Sequence, residues 1–222
     1  MREIDLLGTK HGSIKRDYLA RVNDPDFPKY KAAELAKKWD YDYWDGDRRI
    51  CYGGYHYKEG YWTDVAKSLV DIYDLKPSSN ILEIGCGKGF LLYEISRLIP
   101  GVRVYGLDVS KYAIDNAPES IRLNLDHGSA AKLPYRNFQF DLAFSLNTFH
   151  NLYCPDLLSA LKEIKRVSNA SYICVESYRN ELEKQNLLYW QVTCEAFFTP
   201  QEWLWWFEMS GYNRDYGFIY FE

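Results

Sequence analysis

The sequence predicts an α/β fold, with a doubly wound and mainly parallel sheet covered by helices on both faces. From residue 80 onward, apolar runs of strand length alternate with longer segments of helical periodicity. The runs at 80–84 and 140–145 are almost continuously apolar, which is typical of strands buried on both faces. Such sheets bind ligands at the carboxyl ends of their strands, so functional residues are expected directly after the predicted strands.

Residues 1–62 differ in character from the rest of the chain. We predict that they form an N-terminal arm and an aromatic lid, and that the core domain spans 63–222. The arm is polar and is interrupted by prolines at 25 and 28, and alanine and leucine on one side favour a helix at 29–38. Tyrosine and tryptophan crowd the segment 39–57, where neither period is expressed, which favours an ordered loop over a site.

The core is predicted element by element. Val65, Leu69 and Val70 give a helix at 63–73 its apolar face, and that helix stops before Pro77. Proline in the first turn and Gly211 after the last one delimit a helix at 200–210. The remaining predictions are strands at 80–84, 103–107, 122–125, 140–145, 172–176 and 217–221, a short strand at 197–198, and helices at 89–98, 110–117, 155–167 and 181–188.

The run Glu83-Ile84-Gly85-Cys86-Gly87-Lys88-Gly89 follows the first of these strands and opens a helix. Glycine lets the backbone approach a ligand, and a helix N-terminus offers unpaired N–H groups. Asp108 ends the next strand, where a carboxylate can accept both hydroxyls of a ribose. The ligand is therefore predicted to contain a nucleoside. Phe90 replaces the third glycine of a dinucleotide fingerprint, which disfavours NAD.

This E-x-G-x-G-x-G pattern closely resembles the first motif of the class I S-adenosylmethionine-dependent methyltransferases, in particular the small-molecule enzymes with a type 11-like core. Residues 128–135 and 138–145 look like the family's adenine-flanking segment and fourth-strand motif. The resemblance runs from residue 64 to the C-terminus. It implies a Rossmann-like sheet of seven strands with an antiparallel C-terminal edge strand. Ser129 departs from the pattern, because the family often has an acid there.

The resemblance also implies S-adenosyl-L-methionine as the cofactor. The positions that match the family's motifs are expected to bind it: Glu83, Gly85, Cys86, Gly87, Gly89, Asp108, Val109, Gly128, Ser129, Ala130, Ser145 and Asn147.

Methyl transfer to a neutral oxygen or nitrogen also requires loss of a proton, so a base is expected near the acceptor. His150 follows the fourth core strand and His56 lies in the aromatic loop, and imidazoles titrate near neutral pH. Both are candidate catalytic residues, and the alternative for each is a packed loop histidine. Glu176, at the end of a later strand, is a candidate substrate-binding residue.

Other substrate-binding candidates come from the aromatic loop. Tyr43, Tyr55 and Tyr57 could close over the sulfonium, whose charge favours an electron-rich ring face. Arg48 and Arg49 could hold an anionic substrate, because a guanidinium fork suits phosphate or carboxylate. Internal salt bridges to the neighbouring aspartates are the alternative for the arginine pair.

Composition restricts the class of substrate. Lysine and arginine total 27 against 31 acids, a net charge of −4, which argues against nucleic acid. The five cysteines are scattered without C-x-x-C spacing, so no metal site is expected. Neither a signal peptide nor an apolar run of membrane-spanning length is present, which predicts a cytoplasmic protein that does not enter membranes.

The function predicted is methyl transfer to an oxygen or nitrogen of a small polar metabolite, whether anionic, sugar-linked or nucleotide-linked. A catalytically inactive partner or sensor that binds the cofactor is the alternative, and an NAD-dependent oxidoreductase is disfavoured by Phe90. The sequence leaves a homodimer open.

Overall fold

The computed structural model describes residues 1–8, 11, 17–20, 22 and 24–222, within which six strands form one sheet. The spatial order is β3-β2-β1-β4-β5-β6, and every pairing is parallel. In chain order the strands are β1 (Asn80–Ile84), β2 (Arg103–Asp108), β3 (Leu125–His127), β4 (Phe140–Leu146), β5 (Ser168–Glu176) and β6 (Asp215–Ile219).

Helices connect the strands and cover the sheet. In chain order they are α1 (Lys29–Ala36), α2 (Tyr41–Trp44), α3 (Thr63–Tyr73), α4 (Phe90–Leu98), α5 (Lys111–Asp115), α6 (Glu119–Arg122), α7 (Cys154–Val167), α8 (Glu181–Trp190) and α9 (Pro200–Ser210). A 3₁₀ turn at Phe149–Asn151 lies between β4 and α7. No helix of the described residues is long and apolar enough to cross a bilayer.

Alternate residues of the central strand β1 face opposite sides of the sheet, as a parallel strand covered twice requires. Ile81 packs into the cluster that also contains the apolar faces of α3 and α4. Leu82 and Ile84 pack into a second cluster with α7 and α9. All three side chains are fully buried. The predicted doubly wound α/β architecture is therefore correct.

Two details of the sheet differ from the prediction. We expected seven strands with an antiparallel edge, whereas the described residues form six and β6 runs parallel to β5. The chain leaves β5, passes through α8 and α9, and returns to the start of the sheet, which makes the next strand parallel. Among the described residues, a parallel bridge joins Glu3 to Tyr216 at the outer edge of β6.

Two short strand predictions were wrong. The segment 122–125 is not a strand: Pro118 starts the short helix α6, and Leu123 is 98% exposed, so β3 begins only at Leu125. Residues 197–198 also lie outside any strand. The neighbouring residues Glu195 and Ala196 instead donate their N–H groups to the carbonyl of His150. Hydrogen bonding to a loop thus replaces ladder pairing there.

Candidate active site

The glycine turn joins β1 to α4 at the edge where the strands end. Gly85, Gly87 and Gly89 have φ angles of 76°, 54° and 70°. Side chains rarely adopt this left-handed region. A Cβ on Gly85 would also lie 2.0 Å from Thr148 Oγ1, so conformation and space both require glycine.

Asp108 ends β2 beside this turn. Its Oδ2 accepts the Gly87 N–H and its Oδ1 accepts the Ser110 N–H, each at 2.7 Å. The residue is 7% exposed, and burial raises the pKa of its carboxyl, although the two backbone N–H groups act in the opposite direction. The carboxylate is thus held in one orientation at the tip of the strand, where ribose hydroxyls are expected to bind.

Glu83 lies in β1, directly behind the turn. It is 5% exposed, and within the described part of the chain its Oε2 has no hydrogen-bond partner. Burial, and then the charge of Asp108, raises the pKa of Glu83 well above its usual range. A buried oxygen without a donor costs free energy that an ammonium or hydroxyl group would recover. The turn, Asp108 and Glu83 together fit a ligand that carries a ribose and an amine.

The predicted cofactor residues after β2 and β3 line the same edge. The Gly128 N–H donates to the carbonyl of Asp108 at 2.9 Å, which holds the two strand ends together. Val109 is 51% exposed, and Ala130 is buried. The Ser129 hydroxyl accepts the Ala131 N–H at 3.2 Å, so it organises its own turn. Cys86, inside the glycine turn, is buried, and burial raises the pKa of its thiol well above the usual range.

The two predicted cofactor residues of β4 and its tip have different surroundings. Ser145 is fully buried, and its hydroxyl donates to the carbonyl of Ile84 at 2.9 Å, so it ties β4 to β1. Asn147 has a φ of 55°, and its N–H donates to the carbonyl of Cys174. This backbone geometry turns Asn147 into a cavity beyond the strand ends.

Trp44, which sequence reasoning missed, covers the glycine turn. A Cβ on Gly87 would lie 2.6 Å from Trp44 Cη2. The indole N–H donates to Ser110 Oγ at 2.9 Å, and that hydroxyl also accepts the Ala113 N–H and so caps α5. Trp44 is 7% exposed. Its ring therefore spans the space between the turn and the end of β2.

A largely buried ion pair fastens the aromatic segment, residues 39–57, to the same turn. Lys88 Nζ lies 2.6 Å from Asp45 Oδ2 and also donates to the carbonyl of Tyr55 at 2.8 Å. The Tyr112 hydroxyl donates to Asp45 Oδ2 at 2.8 Å. Burial would raise the pKa of Asp45, but hydrogen bonds from Lys88, Tyr112 and the Tyr55 N–H hold it below its usual range. A lysine among glycines was the only sequence signal for this contact.

A cavity of about 420 Å³ opens on the other half of the sheet edge. It lies beyond the carboxyl ends of β4, β5 and β6, and its lining includes Asn147, Glu176 and Ile219 from those ends. Phe90 forms the side nearest the glycine turn. Cofactor candidates and cavity thus flank the point between β1 and β4 where the strand order reverses, the expected place for ligands in such a sheet.

His150 and Glu176 meet at the buried end of the cavity. The Glu176 N–H donates to His150 Nδ1 at 3.3 Å, so the imidazole proton is on Nε2. Nε2 lies 3.5 Å from Glu176 Oε2. Burial lowers the pKa of His150 to about 3, which keeps the ring neutral at physiological pH. Gln191 donates its side-chain amide to Glu176 Oε1.

The candidates from the aromatic loop separate into two groups. Tyr43, Tyr55, His56 and Arg48 line the cavity, the last two as exposed residues. Burial raises the pKa of Tyr43 and of Tyr55, so both remain neutral phenols.

Two other candidates point away from the cavity. The Tyr57 hydroxyl donates to Glu94 on α4 and accepts from Arg97. Arg49 pairs with Asp47, the salt-bridge alternative, and does not line the cavity.

Comparisons with known proteins concern the part of the chain that carries the glycine turn. Residues 81–170 match a family described as a methyltransferase domain. YrhH of Bacillus subtilis, whose name describes a methyltransferase, is 29% identical over 124 residues, which cover 52% of this chain and 68% of YrhH. Demethylmenaquinone methyltransferase of Bacillus cytotoxicus is 29% identical over 123 residues, or 50% of each protein. The chain thus spans half the length of that second relative.

A solved structure shares the fold. It is a chain from the complex between the Haloferax volcanii Trm112 methyltransferase activator and a methyltransferase, with a TM-score of 0.52 and 21% identity over 68% of this chain and 67% of that one. At this identity the likeness concerns the fold alone. The matched methyltransferase domain at 81–170 and its glycine turn thus support a class I S-adenosylmethionine-dependent methyltransferase, a family whose methyl donor is S-adenosylmethionine.

Proposed function

We propose that this protein methylates an oxygen or nitrogen of a small polar metabolite bound in the 420 Å³ cavity. The observation that carries the proposal is the position of this cavity. It adjoins the glycine turn through Phe90 and contains Glu176 at its buried end. An acceptor there would lie between the cofactor candidates and a carboxylate. The cytoplasmic location predicted from the sequence is part of the same proposal.

Asp108 and Glu83 are proposed to hold the two ends of the cofactor. Asp108 accepts the ribose hydroxyls, and the otherwise unpartnered Oε2 of Glu83 receives the ammonium group directly or through water. When bound, S-adenosylmethionine supplies a methyl group on a positively charged sulfur. Because that group is already activated, the main work of the protein is to align the acceptor with it.

Glu176 is the better proton acceptor of the two buried groups. In the tautomer that the Glu176 N–H selects, His150 Nε2 carries a proton and cannot take another while the ring is neutral. A carboxylate can accept a proton from a hydroxyl or an ammonium within hydrogen-bond reach. We therefore assign proton acceptance to Glu176 and orientation of its side chain to His150. His56, at the exposed end of the cavity, contacts the substrate in this proposal.

The walls of the cavity indicate the class of substrate. Tyr43 and Tyr55 contribute aromatic surface with hydroxyl groups, and Arg48 and Lys58 bring positive charge to the exposed end. A metabolite that carries a phosphate or carboxylate at one end and its nucleophile at the other would match both ends. Arg49 and Tyr57 take no part in this proposal, because their side chains are engaged elsewhere.

Binding of S-adenosylhomocysteine to Asp108→Ala tests the cofactor assignment. We expect affinity to fall at least 100-fold in isothermal titration, since both ribose hydroxyls lose their acceptor. Asp126→Ala is the matched control, because Asp126 lies in the adjacent strand β3 and bonds only to the Tyr135 hydroxyl among the described contacts. Equal affinity in wild type and Asp108→Ala would refute the assignment. Tight binding without methylation of any compound in a metabolite extract would instead favour an inactive cofactor-binding partner.

A further inference from the structure

Trp44 makes the close approach to Gly87 that glycine turns usually reserve for a ligand. The would-be Cβ of Gly87 meets the indole ring at 2.6 Å. The same ring reaches Ser110, two residues beyond the proposed ribose carboxylate Asp108. The side chain therefore fills the space between the glycine turn and the end of β2, the two parts of the proposed cofactor site.

The cavity described above does not extend into this space. Its lining includes Phe90 and Asn147 but none of Glu83, Gly87 or Asp108. Glu83 and Asp108 are instead 5% and 7% exposed beneath the aromatic segment. Protein atoms, with Trp44 foremost, thus cover the surface on which the cofactor would lie.

The covering segment is fastened rather than loosely packed. Asp45, the residue after Trp44, forms the buried ion pair with Lys88 of the glycine turn, whose side chains are 13% and 4% exposed. Tyr112 adds a hydrogen bond to the same carboxylate. Truncating one member of a buried, hydrogen-bonded charge pair is costly, so this pair holds the segment closed.

The same segment builds the acceptor cavity. The Trp44 ring stacks on Tyr52 with centroids 5.4 Å apart and lies 4.8 Å from the Tyr43 ring. Tyr43, Tyr52 and Tyr55 all line the cavity. Movement of Trp44 away from Gly87 would therefore also move the wall against which an acceptor binds.

We propose that Trp44 is an internal plug of the cofactor site, that the Asp45–Lys88 pair latches it, and that the cofactor must displace it to bind. This inference rests on the proposed cofactor site. It makes Trp44 a competitor of the cofactor and not one of its contacts. It also sets the order of binding: the cofactor enters first, and the displaced segment then completes the acceptor site.

Competition predicts that removal of the plug tightens binding, because the apparent affinity equals the intrinsic affinity multiplied by the fraction of molecules that are open. We expect Trp44→Ala to bind S-adenosylhomocysteine at least threefold more tightly by titration, with at least fivefold faster association in stopped flow. Asp45→Asn, which keeps Trp44 but breaks the ion pair, is expected to speed association as well. Trp205→Ala is the matched control. Trp205 lies on α9, is 53% exposed, and in the described contacts its ring packs against the ring of Trp206 and not the glycine turn.

Fluorescence gives a second readout. The difference between wild-type and Trp44→Phe emission should shift to the red when S-adenosylhomocysteine is added, as the indole leaves its buried position. Weaker or unchanged affinity in a folded Trp44→Ala protein would overturn the inference. Should Trp44→Ala fail to fold, an unchanged association rate in Asp45→Asn would overturn it. Absence of binding in the wild type and in every variant would overturn the cofactor site itself and this inference with it.

Discussion

His150 and Glu176 lie together at the buried end of the cavity, and we propose different roles for them because their surroundings differ. The sequence identified His150 as a candidate base because of its position after a strand. Burial lowers its pKa to about 3, and the backbone N–H of Glu176 occupies its Nδ1. A neutral ring with its proton on Nε2 orients a neighbour better than it accepts a proton. In the proposed mechanism, the choice of Glu176 over His150 as the base thus depends on one backbone hydrogen bond.

Glu176→Gln tests this division of roles. The amide keeps the size of the side chain but cannot take a proton, so kcat should fall about 100-fold or more. Affinity for S-adenosylhomocysteine should stay within twofold. Transfer of a labelled methyl group to the acceptor found in a metabolite extract measures the rate. Glu195→Gln is the control. The Glu195 N–H donates to the carbonyl of His150, but the Glu195 side chain pairs with Lys37. Undiminished kcat in Glu176→Gln would contradict the assignment.

At the scale of elements, two independent features of the glycine turn exclude a side chain at Gly87. Its φ of 54° disfavours any Cβ, and the Trp44 ring leaves no room for one. Gly60 has a φ of 76°, and nothing among the described residues lies within 4 Å of its would-be Cβ. Only the backbone conformation therefore disfavours a side chain at Gly60. Comparing substitutions at Gly60 and Gly87 therefore distinguishes the cost of backbone strain from the cost of a clash with Trp44.

We expect Gly60→Ala to lower the free energy of unfolding by about 1 kcal/mol. Gly87→Ala should cost a further 1–3 kcal/mol, roughly, from the clash with Trp44. That excess should disappear when Gly87→Ala is made in the Trp44→Ala background. Urea unfolding of the wild type, the three single variants and the double variant measures these differences. Equal costs at the two glycines would show that Trp44 does not press on the turn in solution.

At the scale of the whole molecule, His150 makes stability depend on pH. Its pKa is about 3 when folded and 6.5 in the reference state, so below pH 6.5 the unfolded chain binds a proton that the folded protein does not. The contribution of His150 to stability therefore falls as pH falls, by up to about 1.4 kcal/mol per pH unit, and this loss continues until pH approaches 3. Carboxylates with lowered pKa, such as Asp45, add a loss only below the usual carboxyl range.

His150→Gln should flatten this dependence between pH 6 and pH 4, although it will cost stability at pH 7. Urea unfolding at half-unit steps of pH gives the slope for each protein. His127→Gln, at an exposed position on the edge strand β3, is measured in the same way for comparison. A slope in His150→Gln equal to that of the wild type would contradict the buried, neutral histidine.

Much of the fold could be predicted because its signals are local. Strand and helix periods identified α3, β1 and α9 at their observed bounds, and glycine spacing located the turn. The strand expected at 122–125 failed because apolar content alone does not reveal that Leu123 is almost fully exposed. Arg49 and Tyr57 do not line the cavity, because each side chain binds a nearby partner, Asp47 and Glu94 respectively. Local competition of that kind leaves little trace in a linear pattern.

The sequence by itself determined the alternating α/β layers, the glycine turn and the carboxylate at Asp108, since each depends on residues close together in the chain. Only the tertiary structure decided that β6 runs parallel to β5, that Trp44 covers Gly87 and that Lys88 pairs with Asp45. These features join segments far apart in sequence, and their free energies come from burial and packing that exist only after the chain has folded.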